Sequence, residues 1–206
     1  MRKYLLIVAL LSVSMMASAQ VSDTFDTNKY GWQEYAQKDG SALIVDGVMR
    51  LVGNNPLENA WTISSRSVIQ STCYAPIDPQ KNFEIKSTAI VKKISNKGFF
   101  GVVFDYKDDG NYSCFYIQKG DKNAIVMYER VYETRVVGRR YTELKLPAKR
   151  KAEFDFKIKS NYNDIQFICN DMTVMEVRHQ QPQFTGFGFI VIGQQEVDFD
   201  NVEFIQ

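Results

Sequence analysis

From residue 20 onward, apolar side chains recur at every second position, and the three-to-four spacing of an amphipathic helix is almost absent. This period of two dictates extended strands whose successive side chains point to opposite faces. In Ala152–Ser160, Phe154, Phe156 and Ile158 share one face, while Glu153, Asp155, Lys157 and Lys159 share the other. Such a segment buries one side of a sheet and wets the other. Ser160 to Asn163 is turn material, Asp164 to Cys169 forms a second strand, and Asn170-Asp171 turns the chain into a third, Met172 to Arg178. The three read as a meander.

The same reading applies upstream and downstream. Phe83, Ile85, Ala89 and Val91 alternate with Glu84, Lys86, Thr88 and Lys92. Phe99–Tyr106 and Tyr112–Gln118 flank a turn at Lys107 to Asn111, and Gly120-Asp121 marks the next turn. Ala124–Val137 is either one bent strand or two. Phe187–Ile192 and Val197–Ile205 complete the series. In the last, Val197 and Phe199 are out of phase with Val202 and Phe204, which predicts a bulge at Asp200-Asn201. Many hairpin-linked strands with no linker and no internal repeat predict one all-β domain, a two-sheet antiparallel β-sandwich or jelly roll.

Residues 1–19 have a different character. Arg2 and Lys3 precede an apolar run, Tyr4 to Val13, and Ala17-Ser18-Ala19 offers small residues before Gln20. This order is that of a signal peptide. It predicts cleavage after Ala19, export to the periplasm, cell surface or medium, and a mature domain of residues 20–206. The run is shorter than the ~20 residues of a bilayer-spanning helix, and nothing later is longer and as apolar. The leader holds two of the 25 basic residues and none of the 24 acidic ones, leaving a net charge of −1. That balance argues against nucleic acid or anionic lipid as a nonspecific partner.

Cys73, Cys114 and Cys169 lack the CxxC spacing of a zinc or redox site, and the phase of Cys169 with Ile165 and Phe167 places it in a core. His179 is the only histidine, which excludes a multi-histidine metal centre. Neither a G-x-S-x-G nucleophile nor a phosphate-binding glycine loop is present.

Three stretches carry a family pattern. Asp23-Thr24-Phe25-Asp26, Trp32 and Asp46-Gly47-Val48-Met49-Arg50-Leu51 form the opening. Gly98 to Tyr106, followed by Asp109-Gly110-Asn111-Tyr112, forms the centre. Phe187-Gly188-Phe189 and Val197-Asp198-Phe199-Asp200-Asn201-Val202 form the close. Together they resemble the concanavalin A-like lectin/glucanase superfamily, in its laminin-G-like secreted branch, over nearly the whole mature chain. The resemblance implies two stacked, curved antiparallel sheets with a sugar site on the concave face. It also implies a calcium ion held opposite that face by the closing aspartate, here Asp200, with Asp23 or Asp26 approaching if the terminal strands pair. Because the fold hosts lectins, glycosidases and adhesion modules alike, it does not by itself fix an activity.

A glycosidase of this fold needs paired carboxylates facing one cleft. Glu153-Phe154-Asp155 lacks a third acid in phase. Glu196, Asp198 and Asp200 share a strand face but end in Asp at a structural F-D-N, so they read as a solvated face, and no catalytic residue is assigned. The basic series Arg135, Arg139, Arg140, Lys145, Lys149, Arg150 and Lys151 is interleaved with Glu133, Glu143 and Glu153 and reads as a solvated surface. Tyr128, Arg130, Tyr132 and Thr134 share one strand face, and Tyr112 and Tyr116 share another. Tyrosine rings stack on sugars while their hydroxyls hydrogen-bond. The expected carbohydrate platform is therefore Tyr116, Tyr128, Arg130 and Tyr132, with Trp61 beside it. Three functions follow as alternatives: a noncatalytic carbohydrate-binding or surface-interaction domain, a small glycosidase or 3-keto-disaccharide hydrolase-like enzyme, and an adhesion module that binds protein.

Overall fold

The computed structural model describes residues 20–57, 68–93, 98–119, 123–146, 152–178 and 180–206. Among them are fifteen strands: β1 (Gln20–Asp23), β2 (Tyr35–Gln37), β3 (Gly40–Val45), β4 (Val48–Gly53), β5 (Val68–Tyr74), β6 (Phe83–Lys93), β7 (Phe99–Asp108), β8 (Asn111–Lys119), β9 (Ala124–Tyr132), β10 (Arg135–Leu144), β11 (Glu153–Asn161), β12 (Asp164–Cys169), β13 (Met172–Val177), β14 (Gly186–Ile192) and β15 (Gln195–Ile205). They form two antiparallel sheets. The nine-stranded sheet runs β13-β12-β11-β6-β15-β4-β3-β2, with β1 on the far half of β15. The six-stranded sheet runs β10-β9-β8-β7-β14-β5.

The alternation in the sequence becomes the burial pattern. Along β11, Phe154, Phe156 and Ile158 are buried while Glu153, Asp155 and Lys157 are half-exposed. Between the sheets, stacked rings join the layers: Phe104 lies over Phe115 at 5.2 Å, and Phe115 over Phe167 of the opposite sheet at 4.8 Å. Such contacts fix orientation beyond what area burial alone contributes. Cys73 and Cys169 belong to this core, whereas Cys114 lies on the other side of the six-stranded sheet. The predicted bulge is present: the register of β15 against β6 shifts between Asp200 and Glu203, with Asn201 at φ 52°. The shift returns Val202 and Phe204 to the buried side with Val197 and Phe199.

The ambiguous segment from Ala124 is two strands, not one. β9 and β10 meet at a two-residue turn in which Glu133 and Thr134 have φ of 48° and 65°. Both central residues are therefore left-handed, as a type I′ hairpin requires, but neither is Gly or Asn. For a β-branched threonine this conformation is strained, at about 1–2 kcal/mol per residue. Replacing Glu133-Thr134 by Asn-Gly is expected to stabilise the protein by about 1 kcal/mol, read as a higher urea midpoint with an unchanged slope. The backbone bond from Thr134 N–H to the Gly110 carbonyl (3.0 Å) would be kept.

Candidate functional site

The expected tyrosine platform does not form. Register, which alternation within one strand cannot reveal, pairs Tyr116 with Met127 and Phe115 with Tyr128. Tyr116 thus stands on the outer face of the six-stranded sheet and Tyr128 faces the opposite way, into the inter-sheet core. Both are buried, at 0% and 3% exposure. The Tyr128 hydroxyl donates to Gln180 Oε1, and Gln180 Nε2 donates to Ser113 Oγ at 2.9 Å. Tyr128 is therefore a clamp on the connection between β13 and β14. Arg130 and Tyr132 do share the side of Tyr128, half-buried and exposed respectively, while Trp61 lies outside the described residues.

Beside Arg130, Asp105 secures the same connection. Its Oδ1 accepts the backbone N–H groups of Gln183 (2.6 Å) and Phe184 (2.9 Å). Burial outweighs these donors and Arg130, holding the carboxyl above its ordinary range. The folded state then keeps this proton to a higher pH than the unfolded chain does. Its contribution to stability is full below the ordinary carboxylate value and is lost as pH rises through the folded one. Asp105→Asn keeps the acceptor oxygen but cannot ionise. The variant is expected to match the parent at low pH and to exceed it increasingly toward neutrality, as measured by urea unfolding across a pH series.

The candidate acids lie on the nine-stranded sheet, turned away from the core. Arg50 grips Asp198 with Nε at 2.7 Å and Nη2 at 3.0 Å, and lies 3.5 Å from Glu196. Lys92 approaches Asp198 at 3.5 Å, and Asp155 accepts from Thr88 Oγ1 at 3.1 Å. The pairing raises the Arg50 guanidinium above its usual value, chiefly through the Asp198 hydrogen bond. Asp198 is itself buried at 3% exposure, so these acids form an ion-paired cluster and not the solvated face that the sequence predicts. At the bulge, Asp200 Oδ1 accepts the N–H of Asn201 at 2.6 Å. β1 pairs with β15 as expected, but Asp23 is committed elsewhere: Oδ1 accepts from Phe25 N–H (2.9 Å) and Oδ2 from the Trp32 indole (2.8 Å). Asp26 accepts from Thr24 Oγ1. Among the described residues no three His, Cys, Asp or Glu side chains gather to ligate a metal.

The outer face of the six-stranded sheet is largely a second apolar core. Phe99, Val103, Cys114, Tyr116, Met127, Ile190 and Ile192 are buried there together with Leu57, which follows β4. Glu129, buried on this face, forms an ion pair with Arg139 of β10. The remaining basic residues of β10, Arg135 and Arg140, are exposed, and Lys149 to Lys151 lie outside the described residues.

An open cleft of about 400 Å³ adjoins this face at the edge strand β5. The segment leading into β2 runs along that edge. Gln33 N–H donates to the Thr72 carbonyl (3.1 Å), Ser71 Oγ donates to the Gln33 carbonyl (2.8 Å), and the Tyr35 hydroxyl bridges the Gln70 carbonyl (3.1 Å) and N–H (3.2 Å). From the other side comes the β7–β8 turn, where Asp108 Oδ1 accepts from Gly110 N–H and Asn111 Nδ2 at 2.9 and 2.7 Å. That turn presents Asp109, whose Oδ1 accepts from Gln70 Nε2 and the Tyr106 hydroxyl, both at 2.8 Å. The Tyr106 and Tyr112 rings are 6.5 Å apart.

Tyr35, Tyr112, Gln33, Gln37, Gln70, Asp39 and Asp109 line the cleft, with Val68 and Ile69 adding apolar surface. Burial, then Asp109, pushes the Tyr106 hydroxyl up to about 12, and burial also raises those of Tyr35 and Tyr112. All three remain protonated donors near neutrality. The arrangement brings ring faces, amides that both donate and accept, and carboxylate acceptors to one volume large enough for a small ligand. Alternation groups Tyr112 with Tyr116, and the central family stretch holds Asp109 beside Tyr112; the other lining residues come from separate segments and carry no local signal.

No protein-family model and no curated protein matches the chain. Solved structures do match it. The carbohydrate-binding module CBM66 from Bacillus subtilis superposes with a TM-score of 0.54 at 12% identity, over 84% of this chain and 94% of its own. The Bacillus licheniformis β-glucanase gives 0.60 at 10% identity, over 92% and 99%. The carbohydrate recognition domain of Emp47p gives 0.61 at 12% identity, over 91% and 94%. The chain has the concanavalin A-like lectin/glucanase sandwich fold, as the resemblance of its opening, central and closing stretches implied.

Proposed function

We propose that this is an exported, noncatalytic carbohydrate-binding domain whose sugar site is the cleft beside β5. The observation that carries the reading is the cleft's lining: two tyrosines, three glutamine amides and two aspartates around about 400 Å³. Planar amides and carboxylates can engage neighbouring sugar hydroxyls two at a time, and a tyrosine ring covers the apolar face of the pyranose. The names of the superposed structures, a carbohydrate-binding module, a glucanase and a carbohydrate recognition domain, support the same class of ligand. Export rests on the order of charge, apolar run and Ala17-Ser18-Ala19.

A glycan array probed with the protein tests this. Binding to at least one glycan is expected, and Tyr112→Ala or Gln70→Ala should weaken it at least tenfold without changing the melting temperature by more than a few degrees. Undiminished binding in both variants would place the sugar elsewhere. A hydrolytic reading has one observation behind it, since Asp39 and Asp109 line the same cleft. Release of reducing sugar from a bound glycan, abolished by Asp109→Asn, would establish it instead.

A further inference from the structure

We infer that the cleft selects its ligand by charge, taking uncharged sugars and rejecting those that carry a carboxylate or sulfate. The inference rests on the reading of the cleft as a sugar site and narrows it to a ligand class. Two of its lining residues, Asp39 and Asp109, are acidic, and no Lys, Arg or His of the described residues lines it. Two described arginines pair on other surfaces: Arg50 with Asp198 on the nine-stranded sheet, and Arg139 with Glu129 on β9.

The two aspartates are also held in place without being neutralised. Asp109 receives Gln70 Nε2 and the Tyr106 hydroxyl on the same oxygen, Oδ1. Asp39 receives Asn55 Nδ2 on its Oδ1 at 3.0 Å. All three donors are neutral, so none of them brings a positive charge to the carboxylates. Among the described residues no donor reaches Oδ2 of either carboxylate, which leaves one fixed acceptor on each. A ligand that satisfies them must bring hydrogen-bond donors, as hydroxyl groups do. A uronic acid or a sulfate ester would bring a third negative charge into a half-enclosed volume where screening by salt is weaker than in bulk solution. The same geometry argues against the basic strand β10 as the recognition surface for this site.

The test is calorimetric titration of the protein with an uncharged oligosaccharide from the array and with its counterpart carrying a uronic acid in place of one hexose. The uncharged form is expected to bind at least tenfold more tightly. Replacing both aspartates, Asp39→Asn with Asp109→Asn, should shrink that ratio toward one while the uncharged sugar loses affinity only modestly, because asparagine keeps an acceptor oxygen. Equal or tighter binding of the acidic form, lost in Tyr112→Ala, would overturn the charge inference and leave the cleft as the sugar site. Binding by neither form, or binding indifferent to Tyr112→Ala and Gln70→Ala, would overturn the sugar-site reading and this inference with it.

Discussion

Trp32→Ala is expected to cost about 3–5 kcal/mol of folding free energy, the range for truncating a fully buried large aromatic. Trp32 is 2% exposed and stacks flat on Phe189 of β14, with centroids 5.3 Å apart and planes 7° from parallel. Phe25 and Phe187 pack around it at 5.4 and 6.3 Å. Its indole N–H also donates to Asp23 Oδ2, and Asp23 is itself buried at 4% exposure. Removing the ring leaves a cavity and a buried carboxylate short of one donor. Trp32→Phe separates the two effects, since it keeps most of the packing and loses only the hydrogen bond, at about 1–3 kcal/mol. Equilibrium urea unfolding of both variants checks the ordering. Because Gln33 and Tyr35 follow directly and line the cleft, Trp32→Ala should also loosen the site.

Gly101→Ala is expected to be comparably severe, about 3 kcal/mol or more. A Cβ at Gly101 would stand 2.0 Å from the Phe115 carbonyl oxygen, 2.6 Å from the Tyr116 Cα and 2.9 Å from the Phe115 carbonyl carbon. All three are backbone atoms of the neighbouring strand β8, so no side chain can swing away to relieve the clash. The β7–β8 pair would have to part at the middle of the six-stranded sheet, where Gly101 pairs with Tyr116 and with Ile190. Gly138→Ala on β10 is the control: its Cβ would meet only the Arg130 Cβ, at an ordinary 3.7 Å. That change should stay within about 0.5 kcal/mol, as surface substitutions usually do. Thermal unfolding of the two variants side by side would show the contrast.

These two positions also show what the sequence made legible. Trp32 and Gly101 both belong to the stretches that carry the family resemblance, and both prove to be packing requirements of the fold, not parts of a site. The β11–β13 meander and the β15 bulge were readable because a half-buried strand writes its buried face into every second residue. The break at Glu133-Thr134 was not readable, because neither residue is one that adopts a left-handed backbone at low cost. The tyrosine platform failed for a different reason. Alternation groups Tyr128, Arg130 and Tyr132 correctly within β9, but the pairing of β8 to β9 decides whether Tyr116 joins them, and it does not. Arg130 and Tyr132 share the side of Tyr128, half-buried and exposed respectively.

The cleft was least legible of all. Tyr35 and Gln37 come from β2, Gln70 from β5, and Asp109 and Tyr112 from the β7–β8 hairpin. No spacing along the chain relates these segments. They meet because β5 and β2 are edge strands of different sheets, and because Tyr35 ties the two edges through the Gln70 backbone. Asp109 was visible as turn material and as part of the central stretch of the family pattern, but neither signal shows that the turn aims it at Gln70.

The most direct test of the cleft as the sugar site is a crystal structure of the protein with an oligosaccharide identified on the array. A sugar ring is expected in the cleft beside β5, with a hydroxyl within hydrogen-bond distance of Asp109 Oδ2 and a ring face against Tyr112 or Tyr35. A sugar bound on the exposed strand β10 or on the nine-stranded sheet, with the cleft holding only water, would contradict it.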